Sequence, residues 1–241
     1  MRSDYQTLRE IITGFSHPPA QDPAAARRAR PRRELRCLVP DALEAQDLDG
    51  AGRSSPYLHT LRGTLERRSS STAYSPEPLE AGLLLATVRE ALMEEEGAWQ
   101  GRGAGGPEVF VLLLRPRGAE PGIYRVRREG ADLVADLPAP EQVEGMTVQK
   151  EFAQAGAIVS AAADLEAAEA WGGAHGYRHA MGRCASLIYS VHLRAVARGL
   201  VGTVFAGFAS SEVRHLLDSD GVSRHQMFAV TVAHPAQERS P

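Results

Sequence analysis

Lys150 is the only lysine among 27 basic residues. A GC-rich genome would produce such a skew, and on that reading no single arginine carries much functional weight by itself. Cysteine is almost absent. Cys37 and Cys184 are too few and too far apart for a zinc or redox motif, and they fit a reducing cytoplasm. No apolar run reaches the roughly 18 residues of a spanning helix, and the leading MRSDYQTLRE lacks the apolar stretch of a signal peptide. A net charge of −3 gives no overall pull toward nucleic acid or membrane. A P-loop is missing, and the one GxGxxG match, GRGAGG at 101–106, runs into the strand-like EVF instead of following a strand and opening a helix, which disfavours Rossmann and Walker nucleotide sites. HExxH and GxSxG are missing too, so neither a metal site nor a hydrolase elbow is expected.

What remains is a 241-residue chain with 43% hydrophobic residues, enough for one substantial core. Residues 1–56 read as an Arg/Pro/Ala-rich, partly flexible arm. Its HPPAQDPAAARRARPRREL run lies ahead of the turn-rich DLDGAGRSSP. The cluster Arg27, Arg28, Arg30, Arg32, Arg33 and Arg36 suits either a solvated linker or contact with an acidic partner such as a peptide or RNA. Residues 57–241 read as the globular body.

In the body, LEAGLLLATVREALMEEE places Leu84, Val88, Ala91 and Leu92 at helical spacing. EVFVLLL is a buried strand, and GIYRVRREGADLVADL is a hairpin about Glu129-Gly130. PEQVEGMTVQKEFAQAG suggests a helix and AIVSAAAD a second buried strand. GYRHAMGRCASLIYSVHLRAVARGL is the longest helix, its apolar face formed by Met181, Cys184, Ile188, Val191 and Ala195. TVFAGF, SSEVRHLL and QMFAVTVAHP read as strand, helix and strand. The hairpin breaks a pure βαβ alternation, so the class is α+β: a mixed sheet flanked by helices.

One stretch combines guanidinium forks with hydroxyls: ERRSSSTAYSPEPL, residues 66–79. Arg67, Arg68, Ser69 and Ser71 together offer the donors that a phosphate needs. Taken alone, such a run also suits an ordinary loop or a basophilic kinase target.

The order of segments adds to this. RRS precedes a turn and helix, a Gly-rich loop enters EVF, and the GIYR hairpin and FAQAGAIVSAAADLE follow. GYRHAM then opens a long helix, GLVGTVFAGF comes next, and a final strand closes in HP. Over residues 60–235 this order resembles the FMN-dependent nitroreductase superfamily, and more narrowly its azoline dehydrogenases that tailor ribosomal peptides. The resemblance implies a nitroreductase-like homodimer whose long central helix lies at the dimer interface, with FMN touched by both chains. It assigns the flavin phosphate and ribityl chain to Arg67 and Ser69, with Arg68 and Ser71 beside them. It assigns the flavin ring to the strand end Phe205, Ala206 and Gly207, where a glycine permits close backbone approach.

The chain departs from that pattern in three places. Ala170 and Trp171 stand where azoline dehydrogenases carry Lys-Tyr, which leaves His175 and Tyr177 as candidate catalytic groups, His175 foremost as base. The loop RGAGGPEVF lacks the serine and aromatic found before this strand. His234 stands where an arginine commonly precedes the proline, and Arg224 is a candidate to compensate. The implied activity is azoline-to-azole oxidation in a peptide held partly by its leader, in a homodimer or a hetero-oligomer with other peptide-modifying enzymes. The alternatives are an NAD(P)H-dependent nitro- or ene-type reductase and a catalytically degenerate partner subunit.

Overall fold

The computed structural model describes residues 32, 34–54, 56–100, 103–206, 210–217 and 219–236. Strand β1 (Val39–Glu44) runs into helices α1 (Ala45–Ser54) and α2 (Leu61–Arg67), and β2 (Leu79–Glu80) leads into α3 (Ala81–Trp99). Next come β3 (Glu108–Leu113), β4 (Pro116–Arg117), β5 (Gly122–Arg127) and β6 (Gly130–Asp136). Helix α4 (Pro140–Met146), a 3-10 turn at Lys150–Gln154, β7 (Ala157–Ala163) and the long α5 (Leu165–Ala197) follow. The chain closes with β8 (Val204–Phe205), α6 (Ser210–Leu216) and β9 (His225–Val232).

Seven strands form one sheet in the order β1-β6-β5-β3-β7-β9-β8, with every neighbouring pair antiparallel. The two-residue strands β2 and β4 make a separate parallel pair. The apolar runs of β3 and β7 occupy the middle because both of their faces are covered. On one face lie Leu84, Leu85 and Val88 of α3 with Leu187, Ile188 and Val191 of α5. On the other, Val143 and Met146 of α4, Phe152 of the 3-10 turn and Val213 of α6 pack over Phe110, Leu112 and Ile158. The architecture is therefore α+β.

Three expectations are corrected. The body begins well before residue 57: β1 pairs with β6, and Leu48 of α1 is fully buried against the core. Turn-forming DLDGAG proves helical because Leu48 gives α1 an anchor in that core. The arm proper, residues 1–31 and 33 with most of its arginine cluster, lies outside the described residues. The segment after Pro140 is two short elements rather than one helix. There Thr147 turns extended, and its hydroxyl donates to the carbonyls of Glu144 and Gln149, replacing helical continuation.

The long helix also starts earlier than its GYRHAM segment. Asp164 accepts from the Ala167 backbone N–H at 2.9 Å and caps it. Gly172 and Gly173 then leave helical geometry, Gly173 at φ +54° and ψ −132°, a conformation that suits glycine. Gly176 is equally specific, since a Cβ there would sit 1.7 Å from the Ala168 carbonyl oxygen. EAWGGAHG is thus a jointed helical segment and not a loop lead-in. Cys184, Ile188, Val191 and Ala195 face the core, but Met181 is turned outward.

Candidate functional site

The Arg-Arg-Ser segment is sewn across the ends of the last two strands. Helix α2 ends at Arg67, and Ser70 bridges Gly202 as a further strand partner on the sheet's β8 edge. The Ser71 N–H donates to the Gly202 carbonyl, and the Thr203 hydroxyl donates to the Ser71 carbonyl at 2.8 Å. Farther on, Tyr74 bridges Pro235, its hydroxyl lies 2.9 Å from that of Thr231, and Ser75 N–H donates to the His234 carbonyl. Gly202 makes this seam possible: a Cβ there would meet the Thr231 carbonyl oxygen at 1.8 Å.

The seam leaves a cationic, hydroxylated ledge. Arg67, Ser69 and Ser70 are exposed, while Arg68 and Ser71 are partly buried. Neither Arg67 nor Arg68 pairs with a carboxylate among the described residues. Other arginines are committed: Arg183 to Glu95, Arg194 to Glu94, Arg198 to Glu90 and Arg224 to Glu108. Beneath the ledge lies His192 of α5, 2% exposed. Burial, with the nearby Arg68 charge, holds its pKa at about 4, so its imidazole is neutral at physiological pH.

The ledge continues along β8. Val201 exchanges backbone hydrogen bonds with Ala233, just past β9, and the Thr203 carbonyl accepts from the Thr231 N–H while its own N–H donates to the Thr231 hydroxyl, so alternation directs the backbone groups of Gly202, Val204 and Ala206 outward. Phe205 sits opposite Ala229, with its ring 4.5 Å from that of Phe152. Ala206 is exposed at the strand end, and Gly207 lies outside the described residues. Arg67, Arg68, Ser69, Ser71, Phe205 and Ala206 therefore share one edge of the sheet. From Gly202 to Ala206 that edge spans about 13 Å at about 3.3 Å per residue.

The other candidates lie elsewhere in the chain. Tyr177 is 43% exposed and His175 partly buried, both just past the Gly172-Gly173 joint. They precede His192 by about 25 Å of helix, at about 1.5 Å per residue. Arg224 begins the far end of β9, roughly 30 Å of strand from His234, and its Nε donates to Glu108 at 2.7 Å. It is not placed to replace an arginine beside the Ser69–Ser71 ledge.

Neither tryptophan stands on the ledge. Trp99 and Trp171 flank the His179 ring, with centroids at 4.5 and 4.8 Å. Burial, followed by the Arg183 charge, depresses the His179 pKa, and Glu95 opposes this. Arg183 stacks on Trp99, forks onto buried Glu95 and donates to the Gly105 carbonyl, tying the glycine loop to α5. Sequence alone missed this ion pair and the position of His192, because both depend on which faces of α3, α2 and α5 meet. Among the described residues no cluster of His, Cys, Asp or Glu could hold a metal ion, and no helix is long and apolar enough to cross a membrane.

No family model matches the chain, and no curated protein matches it. Solved structures do. A protein named as a nitroreductase from Anabaena variabilis aligns with TM-score 0.65 and 19% identity, over 83% of this chain and 42% of that one. The chain thus spans under half the length of that relative. A second, from Ralstonia eutropha, aligns with TM-score 0.54 and 13% identity over 87% of this chain and 99% of its own. A third, from Desulfovibrio desulfuricans and solved in complex with FMN, aligns with TM-score 0.50 and 17% identity over 76% and 90%. With its seven-stranded antiparallel sheet, helices on both faces and long α5, the chain has a nitroreductase-like fold.

Proposed function

We propose that this chain is an FMN-dependent oxidoreductase that dehydrogenates an azoline ring to an azole in a ribosomally made peptide. The observation that carries the flavin part is the ledge: two guanidiniums without carboxylate partners among the described residues, and a run of hydroxyls beside the outward backbone of Val204 and Ala206. Its donor set fits a phosphate at one end and hydrogen-bonding ring atoms at the other. Arg67, Arg68, Ser69 and Ser71 would hold the phosphate and ribityl chain, and the outward backbone of Val204 and Ala206 the ring. An FMN-bound structure of the same fold supports this. The peptide-azoline part rests on the order of motifs along the chain.

FMN, when bound, supplies a hydride acceptor, with dioxygen as final oxidant. The chain's own task is to align the azoline carbon and take one proton, so that loss of hydride and proton leaves the aromatic azole. His175, with Tyr177 beside it, is the group proposed to take that proton. Within one chain it lies too far along α5 from the ledge, so the reading includes a homodimer. Tyr177, Met181 and Tyr189 are exposed along α5, and Leu61 and Leu65 on α2, offering an apolar face to a second copy. A cytoplasmic setting with an acidic peptide leader as partner belongs to the same reading.

A second reading has its own support: Ala170 offers no base, and Trp171 packs on His179. These features suit a degenerate partner subunit of a peptide-modifying complex. An azoline-bearing peptide incubated with FMN-loaded protein in air separates the two. A mass loss of two hydrogens with oxygen uptake is expected of the oxidase. Rapid NAD(P)H bleaching without peptide oxidation would instead mark a nitro- or ene-type reductase, and neither reaction would mark the subunit.

A further inference from the structure

A cavity of about 200 Å³ lies where α1, α3 and the end of α5 meet, and it shares no lining residue with the ledge. Leu48, Pro56 and Ala86 give it apolar walls, while Asp49, Arg53, Glu90 and Arg198 bring charge to it. Arg198 stands just past α5 and is 8% exposed. Its Nη2 donates to Glu90 at 3.1 Å, but its Nε and Nη1 are buried with no hydrogen-bond partner. Its Cζ stands 4.0 Å over the Tyr57 ring, another wall of the cavity. That contact uses the flat face of the guanidinium and leaves the in-plane N–H groups unmatched. A guanidinium cannot shed its proton, so the unmatched donors remain a cost.

The charges around the cavity do not balance. Arg89 pairs with Asp49, Arg194 with Glu90 and Glu94, and Arg198 shares Glu90. Arg53 is exposed and has no carboxylate partner among the described residues. Four guanidiniums thus meet three carboxylates, an excess of one positive charge.

We propose that this cavity binds a small organic monocarboxylate. The carboxylate accepts from the free donors of Arg198, and a short apolar tail lies on Leu48 and Ala86. One negative charge cancels the excess, which favours a monocarboxylate over the doubly charged phosphate proposed for the ledge. Apolar walls with one well-placed cation suit a ligand of that kind. The step is recognition only, and it does not depend on the flavin reading.

The test is calorimetric titration of the full-length protein at neutral pH with butyrate and with butyramide, which has the same shape and no charge. Wild type is expected to bind butyrate at one site and to prefer it to butyramide by about 10- to 100-fold, the worth of a charge-assisted contact. Gly52→Leu checks the place. Gly52 lines the cavity from α1, and a Cβ there meets Glu90 Oε1 at 3.1 Å and Ala86 Cβ at 3.6 Å. A leucine fills the space, so this variant should lose butyrate binding while keeping the wild-type circular dichroism spectrum. Arg198→Met should bind butyrate and butyramide alike. Equal binding of the two by wild type, or binding of neither, overturns the proposal without recourse to any variant. Butyrate binding that survives Gly52→Leu also overturns it and moves the carboxylate to another place, the ledge included. Tighter binding of inorganic phosphate than of butyrate in the same cavity overturns the choice of a monocarboxylate.

Discussion

His192 should make this protein sensitive to mild acid. The unfolded chain protonates a histidine near its ordinary 6.5, whereas folded His192 resists until about 4, chiefly through burial and secondarily through Arg68. A histidine depressed in the folded state adds stability above its unfolded pKa. That stability falls away as pH drops from about 6.5 to about 4, where the unfolded chain binds a proton the folded chain refuses. The difference corresponds to about 3 kcal/mol across the window. Urea denaturation of wild type and His192→Gln at several pH values measures it. The wild-type advantage should shrink by up to about 3 kcal/mol between neutral pH and pH 4. Buried Asp132, held at about 2 by Arg127, the Asp41 backbone and Arg125 against its burial, titrates in both proteins and cancels. Arg68→Gln should narrow the loss by letting His192 protonate earlier. Stability curves that run parallel for wild type and His192→Gln would refute this placement of the imidazole.

Three further outcomes follow from packing. Leu48→Ala should cost about 2–5 kcal/mol in chemical denaturation, because α1 belongs to the core; an unchanged midpoint would return residues 45–54 to the arm. Arg183→Met should cost about 3–5 kcal/mol by stranding buried Glu95, and adding Glu95→Met should recover most of it. Equal instability of the single and double variants, in the same assay, would contradict a coupled pair. Gly176→Ala should lower the melting temperature by forcing apart the turn that holds the Ala168 carbonyl against it, whereas an unaltered melting curve would speak against that contact.

The readable parts of the chain were those where a single pattern decided the outcome. EVFVLLL and AIVSAAAD became central strands because uninterrupted apolar runs need cover on both faces, and the two helical layers supply it. The hairpin at Glu129-Gly130 came from local turn chemistry and needed no tertiary context. What stayed hidden depended on partners distant in sequence. DLDGAG is turn-rich until Leu48 finds the core, and GGAHG is loop-like until Gly176 meets the Ala168 carbonyl. The Ser69–Ser71 cluster could be read as a set of donors, but its position against Gly202 and Thr203 could not. Arg224 was legible as a free cation only while Glu108, 116 residues away, was out of view.

The ledge is proposed to hold a flavin phosphate. The most direct measurement compares FMN with riboflavin, which lacks the phosphate, in titrations of the apoprotein, for wild type and for Arg67→Ala/Arg68→Ala. Charge-assisted contacts from two guanidiniums predict that wild type prefers FMN by about 10- to 100-fold, and that the double variant binds the two flavins alike. Wild-type protein that binds FMN no better than riboflavin, or binds neither, would contradict a phosphate site at Arg67 and Arg68.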